Sequence, residues 1–79
     1  MISAIDKKRN FIENLYPKLC EKISNEISNT IDSTHCVIDV QDFHFNYYEI
    51  EVWLESYGYE VDYEAEYHNI ITINVSWDI

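Results

Sequence analysis

The chain has 79 residues, 47% of them apolar and 15% aromatic, and a formal net charge of −10 from 15 acidic and 5 basic side chains. The length predicts one domain, residues 1–79, and the apolar fraction argues against a disordered chain. The charge argues against direct nucleic-acid binding, because an acidic protein releases no counterions from a phosphate backbone. No apolar run reaches the ~18 residues that a membrane span requires, so we expect no membrane association.

Apolar residues recur with a period close to 3.6 from Ile5 to Ile31, which predicts an amphipathic helical segment. Pro17 interrupts this stripe, because proline lacks a backbone donor and clashes with the preceding turn. Either one helix kinks at Pro17, or one helix stops near Leu15 and a second begins with Pro17 in its first turn. The unbroken apolar stripe favours the kinked helix. The polar run at 29–34 then predicts a loop.

The next helical prediction depends on its end signals. Residues 48–52 alternate between polar and apolar side chains, as a strand does. Asn46, however, precedes Glu49 by three positions, which is the spacing of a helix capping box. Gly58, the only glycine of the chain, stands where a helix C-terminus favours a left-handed residue. We therefore predict a helix over residues 47–57.

Three segments predict strands. Residues 36–40 are rich in β-branched side chains, residues 59–67 alternate strictly, and residues 70–77 follow a turn, so that the last two form a hairpin. The predicted apolar face of the last strand consists of Ile71, Ile73, Val75 and Trp77. The predicted fold is therefore α+β, in the order α-β-α-β-β, with a three-stranded sheet, two helices packed on one face and a first helix kinked at Pro17.

The second half of the chain is one-sided in charge. From His35 onward there are ten carboxylates and no Lys or Arg, whereas the first 34 residues carry five charges of each sign. Such a field speeds encounter with positively charged partners but weakens the compact state, so a role in the fold does not account for it. The partner-binding residues predicted from this are acidic side chains of the second helix and the second strand: Glu49, Glu51, Glu55, Glu60, Asp62, Glu64 and Glu66.

The four carboxylates of the second strand are predicted to form a regular row. Same-face residues on a strand lie roughly 6.6–6.8 Å apart, which is of the same order as the phosphate spacing along a nucleic-acid strand. We interpret the row as an imitation of a nucleic-acid backbone that docks into a groove lined by Lys and Arg. The competing interpretation is an ordinary solvated sheet face, but such faces normally mix charge signs. Tyr47, Tyr48 and Tyr57 either flank this row as contact residues or belong to the core with the other tyrosines.

No residue pattern indicates catalysis or a bound metal. The histidines and cysteines lack the spacing of zinc ligands, and the sequence has no calcium-binding loop, glycine-rich phosphate loop or nucleophile motif. We therefore expect a protein that is not an enzyme and that uses neither a cofactor nor a metal. Cys20 and Cys36 are expected to be buried, reduced thiols, which favours a cytoplasmic location.

A resemblance adds to these expectations. Residues 49–61, Glu-Ile-Glu-Val-Trp-Leu-Glu-Ser-Tyr-Gly-Tyr-Glu-Val, and residues 71–77, Ile-Thr-Ile-Asn-Val-Ser-Trp, follow a leading helix and a short strand. This order resembles small bacteriophage-encoded proteins in which a helix ending in Gly-Tyr precedes a hairpin that ends in tryptophan. The size and charge are similar to phage inhibitors that mimic DNA: anti-CRISPR proteins, anti-restriction proteins and uracil-DNA glycosylase inhibitors. The resemblance implies a viral counter-defence protein that acts in the host cytoplasm.

Three functional hypotheses follow. The leading one is a non-enzymatic inhibitor that binds the positively charged nucleic-acid-binding surface of a host defence nuclease or CRISPR effector. The first alternative is an immunity-type or antitoxin-type protein that neutralises a co-encoded nuclease toxin. The second is a structural or assembly protein that self-associates, for example as a homodimer paired along the edge of the last strand, residues 70–77.

Overall fold

The structure, a computed structural model, describes residues 1–77. These residues form three helices and a three-stranded antiparallel sheet, which confirms the predicted α+β class. Asp78, one of the carboxylates counted above, lies outside the described residues. The elements in chain order are α1 (Ala4–Leu15), α2 (Pro17–Asn29), β1 (His35–Asp39), α3 (Tyr47–Glu55), β2 (Glu60–Glu66) and β3 (Asn69–Ser76).

The leading helical segment is two helices rather than one kinked helix. Ser3 caps α1, because its hydroxyl accepts a hydrogen bond from the Asp6 backbone N–H at 3.1 Å. α1 ends at Leu15, since Tyr16 precedes a proline and is driven out of the helical region, to φ −128° and ψ 61°. Pro17 then begins α2, where its missing N–H is not needed. The structure thus takes the second of the two alternatives, and the kink is not confirmed.

The core lies between one face of the sheet and the helices. α2 packs on β1 and α3 packs on β2, while α1 packs against both of these helices. Two helices therefore cover one sheet face, as predicted, and α1 extends their layer. The opposite face is open to solvent and leaves Val37 57% exposed. The buried core residues are Ile12, Leu19, Cys20, Ile23, Ile38, Val40, Ile50, Trp53, Leu54, Ile73 and Val75.

β3 is the central strand of the sheet. The strand order is β1-β3-β2, and both pairings are antiparallel. β3 therefore has no free edge, so the predicted self-association along residues 70–77 is wrong. The free edges belong to β1 and β2. β2 carries a carboxylate at every second position, which opposes edge-to-edge pairing with another copy of itself.

A bulge in β3 changes the side-chain pattern that simple alternation predicts. Up to Glu64, which pairs with Thr72, the register is regular. The next residue, Ala65, pairs with Ile70 and leaves Ile71 without a partner on β2. Ile70 consequently packs against the core, although alternation placed it on the opposite face. Because the extra residue lies in β3, β2 keeps its own alternation.

α3 is followed by a Schellman motif at Gly58, the position that the sequence indicated. The Tyr59 N–H donates to the Leu54 carbonyl at 3.2 Å, and the Gly58 N–H donates to the Glu55 carbonyl at 3.0 Å. Gly58 has a φ of +92°, a conformation that residues with a Cβ rarely adopt. Space is not the constraint there, since an added Cβ would meet nothing within 4 Å.

Replacing Gly58 with Ala should therefore lower the free energy of unfolding by about 1 kcal/mol through backbone strain. Gly58→Asn should cost less, because Asn tolerates positive φ better than other residues with a Cβ. Urea denaturation of the wild-type protein and of both variants measures the two differences. Equal stabilities of the Ala and Asn variants would show that backbone strain does not govern this position.

Candidate protein-binding surface

The carboxylates of β2 form a column on the open face of the sheet. Glu60, Asp62 and Glu64 are exposed and share that face, and Glu66 continues the alternation at the hairpin end. Strand geometry separates neighbouring members by roughly 6.6–6.8 Å. The residues opposite the first three, on β3, are neutral: Ser76, Asn74 and Thr72. The structure therefore brings all four predicted strand residues together on one side of the sheet.

No cation neutralises this column within residues 1–77. The five basic side chains all lie on α1 and α2. Arg9 forms an ion pair with Asp6 at 3.4 Å, and its Nε donates to the Ser56 hydroxyl at 2.9 Å. Lys22 donates to the backbone carbonyl of Asp39. The basic side chains are thus confined to the two leading helices, whereas the charge of β2 stays uncompensated and gives the molecule a directional field.

The three predicted carboxylates of α3 do not share one surface. Glu49 faces α1, where its Oε1 accepts a hydrogen bond from the Tyr16 hydroxyl at 2.7 Å. Glu51 lies on the other side of α3, because residues two positions apart on a helix are separated by about 200° of rotation. Glu55 follows one turn after Glu51 and is exposed. The structure thus groups Glu51 with Glu55 and separates Glu49 from both.

Tyr47 connects α3 to β2. Its hydroxyl donates to the Val61 carbonyl at 3.2 Å, and its ring centroid lies 4.4 Å from that of Tyr63. Burial raises the pKa of Tyr47 to about 12, and the nearby charges of Glu51 and Asp62 add to the rise. α3 packs on the covered face of the sheet, so Glu51 and Glu55 lie on the helix side of β2, whereas the column lies on the open side. We define the β2 acidic surface as the column alone: Glu60, Asp62, Glu64 and Glu66.

Of the three tyrosines predicted as contact residues, only Tyr47 contacts β2, and it does so from the helix side of the sheet. The Tyr57 ring packs against the Arg9 guanidinium, 3.9 Å from the ring centroid. Tyr48 lines a groove between α1 and α3. The sequence reasoning missed Tyr63, which is 45% exposed although it alternates with the core side of β2. The charged residues of β2 were the available signal, because a strand rich in charge is typical of a sheet edge. At an edge the core covers an aromatic side chain only in part.

The arrangement suits an extended cationic surface better than a single ion. A straight strand holds its carboxylates in a row and cannot converge them on one point. Each carboxylate can accept hydrogen bonds from Lys or from the two-pronged guanidinium of Arg, and charge-assisted hydrogen bonds of this kind are the strong ones. Because the sheet already fixes the backbone of the row, a partner that binds it has to order only the side chains.

Three further observations concern metal ligands, the buried thiol and membrane-spanning helices. Within residues 1–77 no cluster of three or more His, Cys, Asp or Glu side chains could hold a metal ion. Cys20 is buried, and burial, with the nearby charge of Glu13, raises its pKa to about 11, which suppresses the reactive thiolate. No helix in the described part of the chain is long and apolar enough to cross a membrane.

Comparisons with protein-family models, with curated proteins and with solved structures found no match.

The raised pKa of Tyr47 predicts a loss of stability at alkaline pH. A phenol whose pKa is higher in the folded state stabilises the fold below its ordinary value of 10.0, and that contribution is lost as the pH rises through about 12. The free energy of unfolding should therefore fall across this range, by on the order of 1 kcal/mol for this group after allowance for solvent screening.

Tyr47→Phe should make this alkaline fall shallower. Tyr67→Phe is the matched control, because it removes a hydroxyl from a side chain that is 87% exposed. Urea denaturation of both variants at several values between neutral pH and pH ~12 gives the two slopes. A slope in Tyr47→Phe equal to that of the wild-type protein would contradict the prediction.

Proposed function

We propose that this protein is a non-enzymatic inhibitor that occupies the positively charged nucleic-acid-binding surface of another protein. A phage-encoded counter to a host defence nuclease or a CRISPR effector is the setting that agrees best with its size and charge. The observation that supports this most is the column of four carboxylates on an open sheet face, with no cation beside it within residues 1–77. A sheet face that served only to be solvated would normally mix Lys or Arg with its acidic residues.

The geometry of the column supports imitation of a nucleic-acid backbone. Carboxylates and phosphates are both anionic acceptors with more than one oxygen, so one Arg or Lys side chain can pair with either. The strand repeat of roughly 6.6–6.8 Å places successive charges at an interval of the same order as successive phosphates along their helical path. The small neutral residues beside the column, Asn74 and Ser76, leave room for the long side chains of a basic groove.

Two kinds of interaction would contribute to binding. The uncompensated charge of the β2 acidic surface would attract a basic partner at long range and speed association. Tyr63, which projects from the other side of the same edge strand and is 45% exposed, would supply short-range apolar contact to a partner that reaches round this edge, since tyrosine is favoured among the residues that dominate interface energies. Such a complex would form rapidly and weaken steeply as salt screens the charges.

A capture experiment tests the proposal. Immobilised protein is exposed to host lysate at low ionic strength, and bound proteins are eluted with a salt gradient and identified. We expect a nucleic-acid-binding enzyme to elute at intermediate salt, and we expect added nucleic acid to displace this protein from it. An affinity for the captured enzyme that is the same at low and high salt, or that nucleic acid does not reduce, would contradict the proposal.

The identity of the captured protein separates this proposal from the immunity-type alternative. An immunity protein would neutralise a nuclease toxin encoded beside it, so the toxin and not a defence enzyme of the host would bind with the higher affinity. Both would use the same charges. The salt dependence alone therefore does not distinguish them, whereas measured affinities for the two classes of nuclease do.

A further inference from the structure

A groove of about 520 Å³ runs between α1 and α3. Most of its lining is apolar and includes Phe11, Ile12, Tyr48 and Val52. Phe11 is 61% exposed and Tyr48 is 69% exposed. Large aromatic side chains gathered around an exposed apolar concavity are typical of a protein-binding surface. None of these residues belongs to the β2 acidic surface.

The charged side chains that line the groove lie at opposite ends of it. Arg9 in α1 contacts Ser56, just beyond the end of α3, whereas Tyr16, just beyond α1, contacts Glu49 near the start of α3. The two helices therefore run antiparallel. The lysines at 7–8 belong to the first half of α1, so they lie at the end of the groove farther from Glu49.

We propose that a second copy of this chain occupies the groove, in a two-fold symmetric dimer with α1 and α3 at the interface. In such an interface each patch meets the same patch reversed. A groove with cations at one end and a carboxylate at the other is complementary to its own reversed copy. Lys7 and Lys8 of each protomer then face Glu49 of the other, and Phe11 packs near the two-fold axis.

The charge of the whole chain favours this face over the rest of the surface. α1 carries three of the five basic residues, Lys7, Lys8 and Arg9, so its surroundings are the least negative part of the molecule. Contact through β2 would instead bring two columns of carboxylates together, which is repulsive. The dimer goes beyond the proposed function, because it uses different residues and does not require a nuclease partner.

Sedimentation equilibrium from micromolar to millimolar protein tests the dimer directly. We expect a reversible monomer–dimer equilibrium for the wild-type protein. Phe11→Asp should weaken it by at least about a hundredfold, because it places an unpaired charge in the centre of the interface. Ile31→Asp is the matched control: Ile31 is 85% exposed in the loop after α2, so dimerisation should be unchanged.

A charge exchange between two variants tests the reversed register. Lys7→Glu with Lys8→Glu makes both ends of the groove negative, and Glu49→Lys makes both ends positive, so each variant alone should dimerise roughly tenfold or more weakly than the wild-type protein. Mixing the two should restore association, because each end then meets the opposite sign. Glu49→Gln can still accept a hydrogen bond from Tyr16, so it should keep the fold if Glu49→Lys does not. We expect it to weaken the dimer by a smaller factor.

Several results would overturn the dimer. A wild-type protein that stays monomeric up to millimolar concentration would leave the groove to some other partner. Retained dimerisation in a folded Phe11→Asp variant would place the interface elsewhere. A mixture of the charge-reversed variants that associates no better than either variant alone would reject the two-fold register.

Discussion

Reversing two charges of β2, with Glu60→Lys and Glu64→Lys in one chain, should abolish binding to the basic partner. Both side chains are exposed and share the open sheet face, so each reversal replaces an attraction to the partner's cations with a repulsion. We expect the Kd to rise by at least about a hundredfold. The fold should remain, because substitutions at exposed positions usually change the free energy of unfolding by no more than about 0.5 kcal/mol.

A matched control separates the position of the charges from the net charge. Glu21→Lys with Asp32→Lys, on α2 and in the loop after it, raises the net charge by the same amount as the β2 double variant. If the proposal is correct, this control should retain most of its affinity at physiological salt, where distant exposed charges are largely screened. Isothermal titration or surface plasmon resonance with the captured enzyme measures both variants. Equal losses in the two variants would mean that the net charge, and not the column, drives binding.

Ile73→Ala should be among the most destabilising single substitutions in the protein. Ile73 is fully buried at the centre of β3, where it pairs with Ile38 and Tyr63 on the two neighbouring strands. Truncating it removes buried methyl groups and leaves a cavity that the rigid central strand cannot close, which typically costs about 2–5 kcal/mol. A domain of this length has a net stability of roughly 4–12 kcal/mol, so this one change removes a large part of it.

Ile31→Ala provides the matched comparison for that result. The substitution is chemically identical, but Ile31 is 85% exposed. We expect its free energy of unfolding to stay within about 0.5 kcal/mol of the wild-type value. Urea denaturation monitored by tryptophan fluorescence gives both values from the same linear extrapolation. Similar losses in the two variants would show that Ile73 does not sit in a tightly packed core.

The start of α3 and the left-handed residue after it were predictable because their signals are local, although the helix ends at Glu55, two residues before the predicted end at 57. The Asn46 side chain accepts a hydrogen bond from the Tyr48 N–H at 2.9 Å, and α3 begins at Tyr47, as predicted. The left-handed residue after α3 is Gly58, again as predicted. The outcome at Pro17 was not predictable from the apolar stripe, because a kinked helix and two separate helices direct nearly the same side chains towards the core.

The sheet shows where local reasoning ends. The hairpin of β2 and β3 was predictable from alternation and closes through Tyr67 and His68, both with positive φ. The partner of β1 was not predictable, because pairing between strands distant in sequence depends on which helix faces each strand. The bulge at Ile71 has no signature in the amino-acid composition. It shifts the alternation of β3, so that Ile70 faces the core instead of the open side of the sheet.

The candidate site divides in the same way. The column on β2 was predictable from strand periodicity, because alternate residues of any regular strand share a face. The separation of Glu49 from Glu51 follows from helical periodicity, but the hydrogen bond that Glu49 accepts from the Tyr16 hydroxyl was not predictable, since Tyr16 is far away in the sequence. The contact of Tyr47 with Tyr63 likewise joins two elements whose relative placement the sequence does not state.

The amino-acid order by itself determined the sign of the charge in the second half of the chain, which depends only on the side chains present. It also determined the two-residue repeat of carboxylates along β2, which an extended backbone places on one face. Only the tertiary structure decided that this repeat lies on a sheet face without a helix, and that Lys8 and Glu49 line opposite ends of one groove. The physical reason is that periodicity follows from backbone geometry within one element, whereas exposure depends on which elements pack together to bury the core.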